Sequence, residues 1–352
     1  MSKPSFYIPS LDGLRAVAIL IVFLAHVGLD KVVPGGFGVT IFFFLSGYLI
    51  TTLLRRELGK SGRIDFKQFY IRRMLRIWPS FYGVLALGAL LTLAGLLPGP
   101  LKSGPLLSQV LHYANYYSIF SGSEGAILGS AVFWSLAVEE HFYLAFPLLY
   151  LLLVRLGLTP RGQGRALWLV CLGVLAWRCF LVFHLRVDDH RTYYASDTRV
   201  DSIMFGCILA IRGNPMLDPH QGSEKLWKFI LLPAGLALIA ATLLYRSPDF
   251  RETLRYSLHG LALYPVFVTA LRYPEWGPMR LLNSSALRFV GRISFPLYLV
   301  HFIVIRAFVE HPRPLPPLVI GVLSFLISFA LACAIYHFVE QPVARLRKKH
   351  QV

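Results

Sequence analysis

The chain has 352 residues, of which 56% are hydrophobic and only 15% charged, and its formal net charge is +17. Soluble domains carry about a quarter charged residues, so this composition leaves too little polar surface for a water-soluble fold and makes a bilayer its natural solvent. A strongly basic soluble protein would suggest nucleic acid, but here the cations cluster between apolar runs and no DNA- or RNA-binding motif accompanies them, so no nucleic-acid partner is expected.

Apolar runs predict about ten spanning helices, at 11–29, 37–54, 77–97, 132–154, 166–184, 199–211, 227–245, 255–271, 292–309 and 317–339, the sixth being short. The expected fold class is therefore all-α: one polytopic integral membrane domain over 1–352, in contact with membrane lipid, without linker, low-complexity tract or clear repeat. The first run carries an embedded Arg15 and His26 with no small-residue cleavage site behind it, so no cleavable signal peptide is expected.

Cations sit unevenly in the connections. Segment 55–76 holds Arg55, Arg56, Lys60, Arg63, Lys67, Arg72, Arg73 and Arg76, and alternate connections and the tail (Arg345, Arg347, Lys348, Lys349) add more. The opposite set is poorer, with Lys31, Lys102, Arg186, Arg191, Arg246, Arg251 and Arg313. The positive-inside rule then puts both termini in the cytoplasm. The four cysteines lie within apolar segments, lack metal-ligand spacing and read as packing residues; no metal is expected.

Ionisable residues inside spans are costly and each is a candidate for function. In the first helix Arg15 and His26 are eleven apart, about 20° past three turns, hence on one face and roughly 16 Å apart along the axis. The stripe points to a pocket inside the bundle; the ordinary alternative is an Arg reaching for headgroups and a His bonded to a neighbouring helix. The third span is entered by Arg72, Arg73 and Arg76, where Arg73 and Arg76 are helix neighbours suited to phosphates, or simply a topogenic cluster. The fourth opens Trp134-Ser135-Leu136-Ala137-Val138-Glu139-Glu140-His141-Phe142-Tyr143, which places two carboxylates near the depth of His26. One of them could orient the imidazole, as in nucleophile-activating triads. Alternatively they form an interhelical salt bridge with Arg178 or Arg199. Asp197, Arg199 and Asp201 open the sixth span, where a local ion-pair network is their ordinary role. Tyr298 and His301 lie inside the ninth, which Pro296 is predicted to kink.

Taken together these segments resemble the acyltransferase-3 family of integral membrane acyltransferases. Leu11-Asp12-Gly13-Leu14-Arg15, with His26 after ten intervening residues, is similar to the family's Arg-x10-His signature. Gly36-Phe37-Gly38-Val39 and Phe43 to Ile50, including Ser46, resemble its second-helix motif. Arg73-x-x-Arg76, the Trp134 to Tyr143 block, Arg199 with Asp201, Ser294 to His301, and Tyr336-His337-Phe338-Val339-Glu340-Gln341-Pro342-Val343 follow in the expected order. The chain departs at His141, usually Gln, and at Phe295, often Tyr. It stops soon after the tenth span, like members without an extracytoplasmic hydrolase-like domain.

The resemblance implies a bacterial cytoplasmic-membrane enzyme that moves an acyl group, most often acetyl, from acyl-CoA on the cytoplasmic side to a hydroxyl of a sugar or glycolipid. The expected roles are His26 as general base, Glu139 or Glu140 as its orienting carboxylate, Arg15 on the thioester oxyanion or donor phosphates, and Arg73 and Arg76, beside Arg72, on coenzyme A. Tyr143, Trp134, Ser46, Asp197, Arg199, Asp201, Tyr298 and His301 are further substrate or structural candidates. A small secondary metabolite such as a macrolide is an alternative acceptor. A transporter of a glycan, lipid or acyl group, and a receptor or scaffold, are the alternatives of other classes.

Overall fold

Local signals set the helix ends. Proline opens α1 (Pro9–Leu24) and α7 (Pro160–Cys179), where its missing N–H is not needed. Asp65 accepts from the backbone N–H of Gln68 at 3.0 Å and starts α3 (Phe66–Leu93), while Gly62, at φ 68°, ends α2 (Gly35–Ser61). The computed structural model describes residues 8–219, 222–310 and 315–348, and among these no strand occurs. Arg313 of the outer charge set and Lys349 of the tail lie outside the described residues.

Among the described residues, seven helices are long and apolar enough to cross a membrane: Pro9–Leu29, Gly35–Ser61, Phe66–Leu93, Ser130–Arg155, Pro160–His184, Glu224–Leu244 and Pro317–Leu346. A bent pair, Ser285–Arg292 and Ser294–Val309, meeting at 69°, is an eighth candidate when taken as one broken span. The two other expected spans are helices as well. The sixth, α9 (Ser196–Arg212), is a little short and carries charges because it is enclosed by protein: it packs between α2, α7 and α11 (Leu254–Arg272), and nearly every residue from Thr198 to Ile211 is buried. A helix shielded from lipid need not be long or uniformly apolar. Of the intervening helices, α4 (Ser103–Val110), α5 (Ala114–Ser121) and α8 (Asp189–Tyr194) lie in connections, α6 (Trp134–Arg155) follows a 3₁₀ turn, and α10 is Glu224–Leu244.

The predicted kink at Pro296 is corrected. The bend falls at Ile293, between α12 (Ser285–Arg292) and α13 (Ser294–Val309), and Pro296 sits in the first turn of α13, where a missing N–H removes no helical hydrogen bond. Helix α12 is strongly amphipathic, which suits a segment lying along an interface before the chain turns inward.

Helices α2 and α9 meet at backbone distance. A Cβ on Gly47 would lie 2.0 Å from the carbonyl oxygen of Ile203, and one on Gly206 would lie 2.0 Å from that of Phe44. These obstacles are backbone, so neither can swing aside. Gly47→Ala or Gly206→Ala is expected to destabilise the bundle by about 1–3 kcal/mol or more, read as a lower thermal unfolding midpoint in detergent. An unchanged midpoint for both would mean the helices separate at no cost.

Beyond the cation-rich end of this pair, Arg55 grips Asp218 through two bonds of 3.0 and 2.8 Å. Burial pushes the Asp218 carboxyl up, but the Arg55 fork and the Asn214 N–H outweigh it and hold the group below its ordinary range. The clamp ties the connection after α9 to the end of α2.

Candidate functional site

Three neighbouring cavities, each sharing lining residues with the next, are arranged through the bundle from its arginine-rich end to the opposite end. The first opens between the starts of α1 and α13 and the early part of α3, and is lined by Asp12, Arg15, Arg76, Ser80, Arg292 and Glu340. It shares Arg15, Arg76, Ser294 and Phe295 with a central cavity, which adds Arg73, Ser46, Glu139, Tyr143 and Tyr298. The central cavity in turn shares Val39 and Tyr298 with a larger outer cavity, where His26, Trp134, Tyr193, Tyr256 and Phe302 line the walls.

The arginines arrive by helical spacing. Arg73 and Arg76 are one turn apart on α3, and both reach the central cavity; Arg15 joins them from α1, 3.5 Å from Asp12. Arg72, on the adjacent face, does not: its guanidinium pairs with Glu57 at 2.7 Å, so it ties α3 to α2 instead of lining the cavities. Ser46 of α2 donates to Glu139, and its hydroxyl is 3.1 Å from that of Tyr143. Tyr298 closes the far wall, its hydroxyl donating to the Val132 carbonyl at 2.9 Å and sitting 2.7 Å from Ser135 Oγ.

His26 stands elsewhere than its sequence position suggests. Helix α1 ends at Leu24 and the chain continues as a π turn, Ala25–Leu29, with Gly28 at φ 99°. Arg15 and His26 therefore face different cavities, divided at Val39 and Tyr298, and not one stripe. The expected pairing of His26 with Glu139 or Glu140 is also corrected. His26 Nδ1 lies 2.9 Å from His301 Nε2, and Phe302 covers its ring at 4.4 Å. Glu139 is held by Ser46 one level deeper, and Glu140 Oε1 is buried without a hydrogen-bond partner and lines none of the three cavities. The sequence offers no local signal for the pair, because His26 and His301 are 275 positions apart.

The pair has a readable proton order. His301 Nδ1 lies 2.7 Å from the carbonyl oxygen of Tyr298, which can only accept, so Nδ1 carries a hydrogen. In a neutral His301, Nε2 is then the acceptor and His26 Nδ1 the donor. That leaves the lone pair of a neutral His26 on Nε2, the nitrogen that faces away from the pair.

The remaining candidates sort into structure. Asp197, Arg199 and Asp201 do not form the expected local network. Asp197 is bonded by Arg191 (2.6 Å), Trp177 (2.6 Å) and Tyr116 (2.8 Å). Asp201 pairs with Arg178. Arg199 has no carboxylate among the described residues; it is packed against the rings of Tyr256 (4.0 Å), Tyr193 (5.1 Å), Phe43 and Trp134, and donates to Tyr193 O and Thr40 Oγ1. Glu139 and Glu140 accordingly make no salt bridge with Arg178 or Arg199. His141 is 2.7 Å from Ser196 Oγ. The described residues hold no His, Cys, Asp and Glu cluster of metal-site size.

The acyltransferase-domain profile, that of the acyltransferase-3 family, matches residues 8–337. The chain belongs to the acyltransferase-3 family. Two Staphylococcus aureus proteins represent its similarity to known members. One, in strain COL, is named "Putative O-acetyltransferase" and is 30% identical over 97% of this chain and 58% of its own length. The other, O-acetyltransferase OatA of strain NCTC 8325, is 27% identical over 96% of this chain and 57% of its own. The chain thus spans less than three-fifths of these bacterial relatives. No solved structure matches. Within the family frame, the residues of the Arg-x10-His signature line separate cavities that adjoin at Tyr298, a residue of the Ser294–His301 block that lines both.

Proposed function

We propose that this protein is an O-acyltransferase of the bacterial inner membrane that takes an acyl group, in the simplest case acetyl, from acyl-CoA and places it on a hydroxyl of a sugar or glycoconjugate. The observation that carries the reading is the chain from the Tyr298 carbonyl through His301 to His26, which leaves an unprotonated imidazole nitrogen on the larger cavity while an arginine-lined cavity backs onto the same tyrosine. With the cation-rich end cytoplasmic, Arg73, Arg76 and Arg292 stand where a soluble polyanion would enter. The acyl thioester is then held beside Arg15 and Tyr298, and the acceptor enters from the opposite side.

In the transfer step His26 Nε2 takes the proton of the acceptor hydroxyl as its oxygen attacks the thioester carbonyl. The carbon–sulfur bond breaks, the ester forms, and the proton passes to the departing coenzyme A thiolate. Trapping His26 between His301 and Phe302 fixes the ring for this role. Arg15, which lines the donor-side cavity together with Tyr298, is the cation assigned to the developing oxyanion.

The test is release of free thiol by detergent-purified protein given acetyl-CoA and candidate acceptors. Arg73→Ala and Arg76→Ala are each expected to raise the KM for acetyl-CoA about tenfold or more, since a hydrogen bond to a charged group contributes roughly 1.5–3 kcal/mol. Unchanged KM in both would remove the arginines from donor binding. Movement of a labelled glycan across vesicles without thiol release would favour a transporter.

A further inference from the structure

The outer cavity contains a buried group with nothing to bond. His259 of α11 is 3% exposed and lines this cavity, yet neither ring nitrogen has a partner; its ring meets the Phe37 ring, 4.7 Å between centroids. An unsatisfied buried polar group costs about 1–3 kcal/mol, and a histidine whose two nitrogens are orphaned at a cavity wall is one that a ligand can satisfy. One turn earlier on the same face stands Arg255, half-buried, lining the same cavity and paired with no carboxylate among the described residues. Glu252, in the short helix that precedes α11, lines the same cavity, and its Oε2 accepts from Thr192 Oγ1 (2.7 Å) and the Tyr256 hydroxyl (3.2 Å). Behind the Tyr256 ring lies Arg199, fully buried without a carboxylate. Asp30 and Asp189 also border the cavity, but both are exposed, as is Arg251, so they mark its rim; deeper in, the unpaired Arg255 and the orphaned His259 stand together, with Glu252 held on Thr192 and Tyr256.

We propose that the outer cavity recognises an acceptor that carries an anionic group, carboxylate or phosphate, beside its hydroxyls, and that Arg255 and His259 hold that group. The inference rests on reading this cavity as the acceptor side. A guanidinium fork matches the paired oxygens of either anion, and the imidazole supplies a further N–H. Trp134 and Tyr193 offer flat apolar surface for a sugar ring. Neither Arg255 nor His259 belongs to the family-like motifs of the sequence, so the pair would set which acceptor is chosen without altering the chemistry at His26.

Calorimetric binding to the purified full-length chain tests this independently of turnover, with glucuronate, glucose 1-phosphate and glucose as probes. One anionic sugar is expected to bind at least tenfold more tightly than glucose, and which of the two does so distinguishes carboxylate from phosphate. Arg255→Gln and His259→Phe should each abolish that preference while the protein elutes as wild type, and Arg255→Lys should restore part of it. Equal affinity for all three sugars, no binding of any of them, or a preference that survives both substitutions overturns the proposal. Anion-selective binding with no thiol release from acetyl-CoA would instead sink the acyl-transfer reading and leave this one standing.

Discussion

Replacing His26 by Ala is expected to lower acyl transfer by about 10²–10⁴-fold, the usual contribution of a positioned general base, while the bundle stays folded. The side chain is a partly exposed cavity-lining group in a π turn, so its loss removes the bond to His301 and a ring contact with Phe302 but no helix-to-helix crossing. Thiol release with saturating acetyl-CoA and acceptor is the measurement, and size-exclusion elution and helical circular dichroism are the controls. His301→Phe sharpens it. A phenyl ring can fill the site but cannot accept from His26 Nδ1, so the imidazole loses its tautomer. The expected loss in kcat lies between about tenfold and 10⁴-fold, the upper figure being that for a triad histidine left in the wrong tautomer. His301 is a positioning residue here, so KM for either substrate should move little. A His26→Ala protein that elutes normally and keeps wild-type thiol release removes the imidazole from the chemistry. A His301→Phe protein that raises KM but not kcat would reassign His301 to substrate binding.

The contrast between these two histidines shows what the sequence could convey. Spans were legible because hydrocarbon imposes a length and a composition on each helix, one segment at a time. The same rule made the sixth span look doubtful, and the reason is physical: α9 is surrounded by protein, so the lipid constraint does not act on it. Arg15, Arg73 and Arg76 were legible as a set because two lie one turn apart and all three are cations where lipid would forbid them. Partners were not. The carboxylates of α6 were expected to orient His26 because both were assigned a similar depth, and depth says nothing of which faces meet. The π turn after Leu24 redirects His26 toward α13, and a π turn has no sequence signature of its own. His259 was passed over for a related reason. It stands in Arg255-Tyr256-Ser257-Leu258-His259 without a motif, and only the orphaned state of both its nitrogens makes it conspicuous.

Asp201 illustrates the opposite outcome, a candidate site residue whose surroundings make it structural. Arg178 binds both of its oxygens, at 2.9 and 2.8 Å, and spends its remaining donors on the Thr198 carbonyl (2.6 Å), Ser257 Oγ (2.7 Å) and the Thr253 carbonyl (3.2 Å). Both side chains are 0% exposed, and neither lines a cavity described above. Helices α7, α9 and α11 are thereby joined through one guanidinium. Arg178→Leu leaves the Asp201 carboxylate buried with only Ser257 Oγ and its own helix for partners, and the expected cost is about 3–5 kcal/mol. It should appear as a sharp fall in the thermal midpoint and in the yield of monodisperse protein. Arg178→Leu combined with Asp201→Leu removes both charges and should recover much of that loss, because exchanging a buried pair for apolar groups is often close to neutral. Protein that survives either purification should release thiol with near-wild-type kcat, since the pair lies behind the cavity walls. A double variant that is as unstable as the single one would mean that the hydrogen bonds to Thr198, Ser257 and Thr253, and not the charge pairing, hold the three helices together. A stable single variant with abolished turnover would return Asp201 to the reaction itself.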